Sequence, residues 1–409
     1  MPWKETRAVE ERRRFMEEWM EGSYSMAELC RAYGISRPTG YKWVGRYEAD
    51  GWPGLEDRSG VAWHHPNETP EAMRAEVLKV RQRYPRWGPR KIKAILAREK
   101  PGVVWPAVST IGEILRREGL TVARKVRRRT PPYRTPFAGS DHPNAVWCAD
   151  YKGWFRTRDG QRCDPLTISD AHSRYLLRSR IVRDTGYEAA RRQFEATFRE
   201  YGLPNAIRTD NGAPFASHGI GGLSRLSVWW IRLGIRPERI DPGEPQQNGR
   251  HERMHLTLKT EAAEPPEATA QRQQAVLDEF RKRYNEERPH EGLQMRCPAE
   301  VYQASAREYP ARLAPVEYPT GMVVRQVQGN GVLYWKGKAV FVGEALQYEP
   351  VALEPVDEGR WRIHYSTLVL GVFNEAEHSI VPVDGLRPPD GLAGGLHAPF
   401  RCAEGDMEY

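Results

Sequence analysis

A chain of 409 residues, 39% of them hydrophobic, has room for two to four domains and a substantial core. Its formal net charge of +8 and pI near 9.2 favour an acidic partner such as nucleic acid. No apolar run reaches the roughly 18 residues of a membrane span, no GxxxxGK[ST] phosphate loop occurs, and Cys30, Cys148, Cys163, Cys297 and Cys402 form no CxxC pair, which argues against a zinc finger or redox dithiol.

The charge is uneven. Residues 1–140 carry 28 Lys and Arg against 17 Asp and Glu, whereas residues 321–409 carry 7 against 12. Nucleic-acid contact is therefore expected in the N-terminal third and the middle.

Residues 5–20 read as a helix with Val9, Phe15, Trp19 and Met20 apolar. Ser25 with Glu28 three residues on is a capping box. Gly34 ends the short helix that follows, and Ser36 caps the next. Leu29, Ala32, Ile35, Tyr41 and Val44 are expected to pack the two together. The pattern is a helix-turn-helix domain over 1–52, with Arg37, Thr39, Lys42 and Arg46 presented to a major groove. Gly51 to Gly60 reads as a hinge. Further helices over 70–84, from Trp87, and from Ser109 as N-cap with Glu113 in its first turn suggest a second helix-turn-helix domain over 66–120. Arg90, Lys91 and Lys93 are its candidate DNA contacts. Residues 121–140 form a basic, Pro-rich linker. Its Arg124, Lys125, Arg127, Arg128 and Arg129 suit an extended track along phosphates, or else solvate a tether.

From 141 the pattern alternates strand and helix. Strands are expected over Val146–Phe155, Pro165–Ser169, Tyr175–Val182 and Ala206–Thr209, and helices over Thr185–Tyr201 and 268–286. This fits a mixed α/β layer domain over 141–305. The period changes to 2 near 321, and short strands with turns between them predict a small β-barrel over 320–384. Residues 385–409 are expected to be a flexible tail.

Three acids stand out. Asp150 lies in the strand-like Trp147-Cys148-Ala149-Asp150-Tyr151. Asp210 ends an apolar strand and opens the turn Asp210-Asn211-Gly212. Glu252 falls near the start of a helix. Carboxylates are the preferred ligands of hard divalent cations. Phosphodiester transfer needs one ion to make water or a 3′-hydroxyl nucleophilic and a second, about 3.5–4 Å away, to stabilise the leaving oxygen. Asp150 would bridge the ions, with Asp210 holding one and Glu252 the other. Each acid alone has an ordinary alternative: a turn, an edge-strand charge, a helix-surface charge. Their combination, in this order and on these elements, carries the reading.

Four segments make it specific: Trp147-Cys148-Ala149-Asp150, Asp170-Ala171-His172-Ser173-Arg174-Tyr175, Thr209-Asp210-Asn211-Gly212-Ala213-Pro214-Phe215, and Pro245-Gln246-Gln247-Asn248-Gly249-Arg250-His251-Glu252-Arg253. Together they resemble the catalytic core of retroviral-integrase-like transposases of bacterial insertion sequences. Tyr284-Asn285 to Arg288-Pro289-His290-Glu291 resembles the exit from that core. The resemblance implies an RNase H-like fold and a DDE triad of Asp150, Asp210 and Glu252. It also implies two Mg²⁺ ions, with Mn²⁺ as a substitute. The partners would be the element's double-stranded ends and its target, with a dimer or tetramer joining two ends. The expected reaction cleaves at inverted-repeat ends to expose a 3′-hydroxyl, then joins it to target DNA by direct transesterification. A bacterial cytoplasmic, nucleoid-associated location and no nucleotide cofactor go with it.

Two departures accompany the resemblance. Asp210 and Glu252 are separated by 41 residues, several more than is usual, with the surplus near Ser217–Ser224. Glu238, Asp241 and Glu244 are therefore rival third acids; Glu252 is preferred because it alone follows the Asn248-Gly249 pair on a helix. The His/Cys zinc module of retroviral integrases is missing, so end recognition falls to the helix-turn-helix units. Asp170 matches a structural turn. Lys259, seven residues past Glu252, is a candidate phosphate contact, and Asn211 and Asn248 are candidates to orient carboxylates or DNA. His251 either steers a water or phosphate or is a surface histidine. Trp229 and Trp230 read as core. A non-catalytic DNA-binding regulator and a structure-selective nuclease are the alternatives. Intact acids disfavour the first, and tandem helix-turn-helix units the second.

Overall fold

The computed structural model describes residues 8–57, 68–121, 139–217, 219–240 and 249–382. Arg124, Lys125, Arg127, Arg128, Arg129, Asp241, Glu244, Asn248 and the 385–409 segment lie outside the described residues. The chain forms two compact units, Met1–Pro70 and Glu71–Tyr409.

In the first unit, α1 (Ala8–Met20), α2 (Met26–Ala32) and α3 (Arg37–Asp50) enclose Phe15, Met16, Met26, Leu29, Cys30, Val44 and Leu55. Both helix starts follow the sequence signals. Glu28 accepts from the Ser25 amide at 2.9 Å, and the Ser36 hydroxyl accepts from the Thr39 amide at 3.3 Å. Tyr41, expected in the core, is 58% exposed, and Ala32 is exposed too. Phe15, Met26 and Cys30 fill the space instead, because Gly40 lets α3 approach them closely. A Cβ on Gly40 would lie 2.6 Å from Cys30 Sγ and 2.7 Å from Met26 Sδ. Gly40→Ala should therefore lower the stability of this unit by about 2 kcal/mol, the usual cost of overpacking, as read in a urea melt.

The expected hinge belongs in part to this unit. Trp52–Leu55 forms a short 3₁₀ turn, Leu55 is fully buried, and the Arg46 guanidinium donates to the Glu56 carbonyl at 2.7 Å. The boundary expected at residue 52 thus falls inside the packed module.

The second unit opens with α4 (Glu71–Arg83), α5 (Pro89–Glu99) and α6 (Val108–Arg117), packed around Val77, Trp87, Ile92, Ile95, Ile111 and Leu115. The cap of α6 is Ala107, extended just after Pro106, so Ser109 lies inside the helix rather than capping it. Glu113 sits mid-helix and binds Arg116 and Arg117. This module is not free-standing. Tyr84 donates to Glu287 at 2.5 Å, Arg98 to the Glu287 carbonyl at 3.2 Å, and Arg90 pairs with Glu291 at 3.0 Å.

The central sheet contains β1 (Val146–Tyr151), β2 (Phe155–Arg156), β3 (Arg162–Asp170), β4 (Leu176–Val182), β5 (Ala206–Thr209) and β6 (Arg236–Arg239). β3 pairs with β4 and β1 antiparallel, and β1, β5 and β6 run parallel. The expected mixed α/β layer is present. The first strand stops at Tyr151, and Gly153, with φ 83°, turns the chain before β2. α7 (Tyr187–Tyr201) and α8 (Arg225–Arg232) cover one face, with Phe194, Phe198, Trp229 and Trp230 buried against Trp147 and Ile207. α9 (Gly249–Leu258) continues into a π turn, Lys259–Ala263, and packs with α10 (Ala270–Glu286) around Leu176, Leu258 and Phe280.

Beyond the core, β7 (Val323–Gln326), β8 (Val332–Trp335), β9 (Lys338–Phe341), β10 (Pro350–Asp357), β11 (Arg360–Tyr365), β12 (Leu368–Asn374) and β13 (Ser379–Pro382) follow. The expected short strands are present, without barrel closure among the described residues. Among the described residues, β13–β12–β11–β10–β7 is an open antiparallel sheet, and β8–β9 is a separate hairpin. The other face of α8 seals this region: Val228 and Ile231, with Leu223 and Ile220 before them, join the core of Val327, Leu353, Ile363 and Phe373. Ile220 and Leu223 thus help hold the C-terminal sheet on the core.

Candidate active site

Along β1, Trp147 and Ala149 point into the main core, while Val146 and Cys148 point to the opposite face. Alternation puts Asp150 on the second face. Cys148 pairs with Arg208 on the parallel neighbour β5, so two residues further along both strands the register brings Asp150 beside Asp210. Asp210 accepts from the Gly212 amide at 3.2 Å, and Asn211 ties the turn to the Ile240 carbonyl at 3.0 Å. Glu252 stands exposed in the first turn of α9. One stripe of that helix, His251, Met254, His255 and Leu258, is buried, at the i, i+3, i+4, i+7 spacing of an amphipathic helix.

The acids feel one another. The Asp150 carboxyl is pushed up to about 7, first by burial, then by the negative charge of Asp210 and, further down, of Glu252. A hydrogen bond from the Tyr151 backbone, and more weakly the charge of Lys152, pull the other way. Among the described residues, no group of three or more His, Cys, Asp or Glu side chains is arranged to hold a metal ion. The donor chemistry nevertheless fits a hard divalent cation: carboxylate oxygens from three elements, with a repulsion that added positive charge relieves.

The rival acids separate. Glu238 is occupied by Arg208 at 2.8 Å and Arg236 at 2.6 Å. Asp170 is buried and accepts from the Asn144 amide and from the Ser173 amide and hydroxyl at 2.6–2.7 Å, as a structural turn would. His251 is neither a surface residue nor open to a phosphate. It is buried, with Nδ1 2.8 Å from Ser169 Oγ and Nε2 2.8 Å from Thr167 Oγ1. His255, which sequence reasoning missed, has Nε2 2.7 Å from the same hydroxyl and Nδ1 3.7 Å from Asp150 Oδ2. Burial depresses both imidazoles, to about 3 for His251 and about 2 for His255, which His251 and Lys152 also push down.

The candidate DNA contacts divide likewise. Arg37 and Lys42 are exposed on α3; Thr39 is part of the α3 cap, and Arg46 is turned back onto the closing turn. Arg90 and Lys91 lie on the side of α5 that meets residues 287–291. Burial, then the charges of Arg288 and Arg253, brings Lys91 down to about 8. Lys93 is half-buried. Lys259 opens the π turn 3.1 Å from Glu264; Lys152, a second residue missed from sequence, is held below the ordinary lysine range first by burial and then by the charge of Lys259.

Residues 140–245 and 233–298 match two families described as integrase core domains. The chain carries an integrase core domain. Residues 11–60 match a helix-turn-helix domain and residues 39–115 a homeodomain-like domain, so the integrase core follows N-terminal helix-turn-helix modules. The chain is 30% identical over 161 residues to a 31.7 kDa protein of insertion element IS407 from Burkholderia multivorans, covering 39% of this chain and 55% of that protein. It is 28% identical over 258 residues to a 39.2 kDa protein of insertion element IS476 from Xanthomonas euvesicatoria, covering 61% and 70%. The first alignment thus spans little more than half of its relative. Among solved structures, the magnesium-bound HTLV-2 integrase catalytic core domain aligns with 40% of this chain and 99% of its own, at 14% identity and a TM-score of 0.32. A simian T-cell lymphotropic virus intasome in complex with the PP2A regulatory subunit B56 gamma aligns with 72% and 97%, at 15% identity and a TM-score of 0.36. Among the described residues, no helix of this integrase-core chain is long and apolar enough to cross a membrane.

Proposed function

We propose that this chain is a DNA transposase, a metal-dependent enzyme that cuts DNA at the ends of a mobile element and joins the exposed 3′-hydroxyl to a target. The observation that carries the reading is the half-buried Asp150, set beside Asp210 by the β1–β5 pairing, with its charge opposed by Asp210 and Glu252. A protein tolerates such a group where chemistry needs it. Asp150, Asp210 and Glu252 would hold two Mg²⁺ ions, or Mn²⁺ in their place; when bound, these supply nucleophile activation and charge neutralisation on the phosphodiester. Lys152 and Lys259 bring positive charge to the same side of the core, suited to a DNA phosphate. A cavity of about 370 Å³ beside the start of α9 has Arg250 and Arg296 in its lining, two cations that would suit the strand. α3 would read the element end in a major groove through Arg37 and Lys42. Joining two ends calls for at least two copies of the chain acting together.

The test is a nicking assay on the DNA that flanks this reading frame, in Mg²⁺. The wild type should nick the ends, and Asp210→Asn should fall to background while binding the same DNA equally well. If both proteins bind and neither nicks, the chain is a non-catalytic DNA-binding regulator. In the same binding assay, Lys42→Ala should weaken affinity and reduce the salt slope by about one. Arg46→Ala should act mainly by loosening the first unit.

A further inference from the structure

Thr167 lies opposite Asp150 in the β1–β3 ladder, and Ser169, two residues on, shares its face. Two histidines, one turn apart on α9, reach down to that face. The Thr167 hydroxyl donates its one hydrogen to the Asp150 carbonyl at 3.0 Å. It then has only its two lone pairs for the two imidazoles. Both rings must therefore point Nε2–H at Thr167, His251 at 2.8 Å and His255 at 2.7 Å. That leaves both Nδ1 atoms as acceptors. The one on His251 accepts from the Ser169 hydroxyl at 2.8 Å. The one on His255 faces Asp150 Oδ2 at 3.7 Å, lone pair towards carboxylate oxygen.

This arrangement saturates Thr167 and joins three elements at one atom: β1 through the Asp150 carbonyl, β3 through Thr167 itself, and α9 through both rings. α9 also carries Glu252, directly after His251. The His255 lone pair disfavours an Asp150 carboxylate turned inward against the ring and leaves the side facing Asp210 and Glu252 open.

We propose that Thr167, His251, His255 and Ser169 form a positioning clamp, which sets the spacing between the Asp150 strand and the Glu252 helix and aims the Asp150 carboxylate at the other two acids. The clamp rests on the three-acid reading above. It contributes no ligand and no proton to the reaction. Its effect is on how well the acids are gathered, and partners of this kind typically change metal affinity by 10- to 100-fold when removed.

The test uses the full chain, with Mn²⁺ as the probe. Mn²⁺ binding is read from the loss of the free-ion EPR signal without DNA, and nicking is followed against Mn²⁺ concentration. Thr167→Val keeps the shape and removes the hydroxyl. It should raise the Mn²⁺ half-saturation in both assays about tenfold, with the nicking rate at saturating Mn²⁺ reduced far less and DNA affinity unchanged. Thr167→Ser should restore most of the Mn²⁺ affinity. His255→Gln retains a donor near Thr167 and should bind Mn²⁺ more tightly than His255→Leu, which keeps the comparison available if Thr167→Val does not fold. A folded Thr167→Val with wild-type Mn²⁺ binding overturns the clamp, as does Thr167→Ser impaired as badly as valine, or Gln and Leu variants that bind alike. A wild type that neither binds Mn²⁺ nor nicks removes the three-acid reading, and the clamp with it; a wild type that does both while the variants match it removes the clamp alone.

Discussion

Asp150→Asn is expected to abolish strand cleavage and at the same time to raise the melting temperature of the metal-free protein at pH 8. The folded state pushes this carboxyl from its ordinary value of 3.8 up to about 7. Between those two values the native state binds a proton that the unfolded chain releases. Stability therefore falls as pH rises through this window: the contribution of the neutral carboxyl is fully present below about 3.8 and is lost by the time pH passes 7. At pH 8 the half-buried carboxylate, repelled by Asp210 and Glu252, costs roughly 2–4 kcal/mol, taken from the size of that shift. Asparagine keeps the shape and discards the charge, so the variant should melt several degrees higher in EDTA at pH 8. The gap should close as pH approaches 4. Adding Mg²⁺ should raise the wild-type melting temperature, because a ligand that binds only the native state stabilises it, and should move the variant far less. An Asp150→Asn protein that melts at or below the wild type in EDTA at pH 8 would contradict this electrostatic picture.

Much of this site was legible in the sequence, and what was not has identifiable causes. β5 runs over Ala206–Thr209 as read, because a short apolar run bounded by Asn205 and the Asp210 turn leaves little choice. Asp150 and Asp210 were both assigned to strand contexts, and the parallel pairing of β1 with β5 sets them side by side. β6, Arg236-Pro237-Glu238-Arg239, was missed. It has no apolar alternation and carries a proline, and it is a strand only because β5 presents a free edge to it. The open C-terminal sheet had the same limit. A period of 2 announces strands, but closure depends on which strand meets which, and that is decided by packing against Leu223, Val228 and Ile231 of the core. Taken singly, His251 reads as a surface or phosphate-facing residue. Read together with Met254, His255 and Leu258, it belongs to the buried stripe of α9, and that stripe could have been seen in the sequence. The same stripe leaves Glu252 at the solvent edge of the helix.

That contrast bears on the identity of the third acid. Glu238 and Glu252 both follow Asp210 in the chain, but they have different work. Glu238 spends both carboxylate oxygens on arginines: Oε2 on Arg208, itself largely buried, and Oε1 on Arg236. Glu238→Ala should therefore cost about 2 kcal/mol of stability, the usual loss when a hydrogen bond to a largely buried charged group is removed. Once folded, it should still nick DNA at a rate near that of the wild type. Glu252 is exposed on α9 and makes no ion pair among the described residues, but its charge reaches Asp150. Glu252→Gln should melt close to the wild type, or slightly above it in EDTA because one source of repulsion on Asp150 is gone, and its nicking should fall to background. Urea melts and nicking assays on the two variants separate the roles. A Glu252→Gln protein that nicks normally beside an inactive, fully stable Glu238→Ala protein would transfer the third position to Glu238. The geometry opposes that outcome, because a carboxylate already claimed by two guanidinium groups has little charge left to offer an incoming cation.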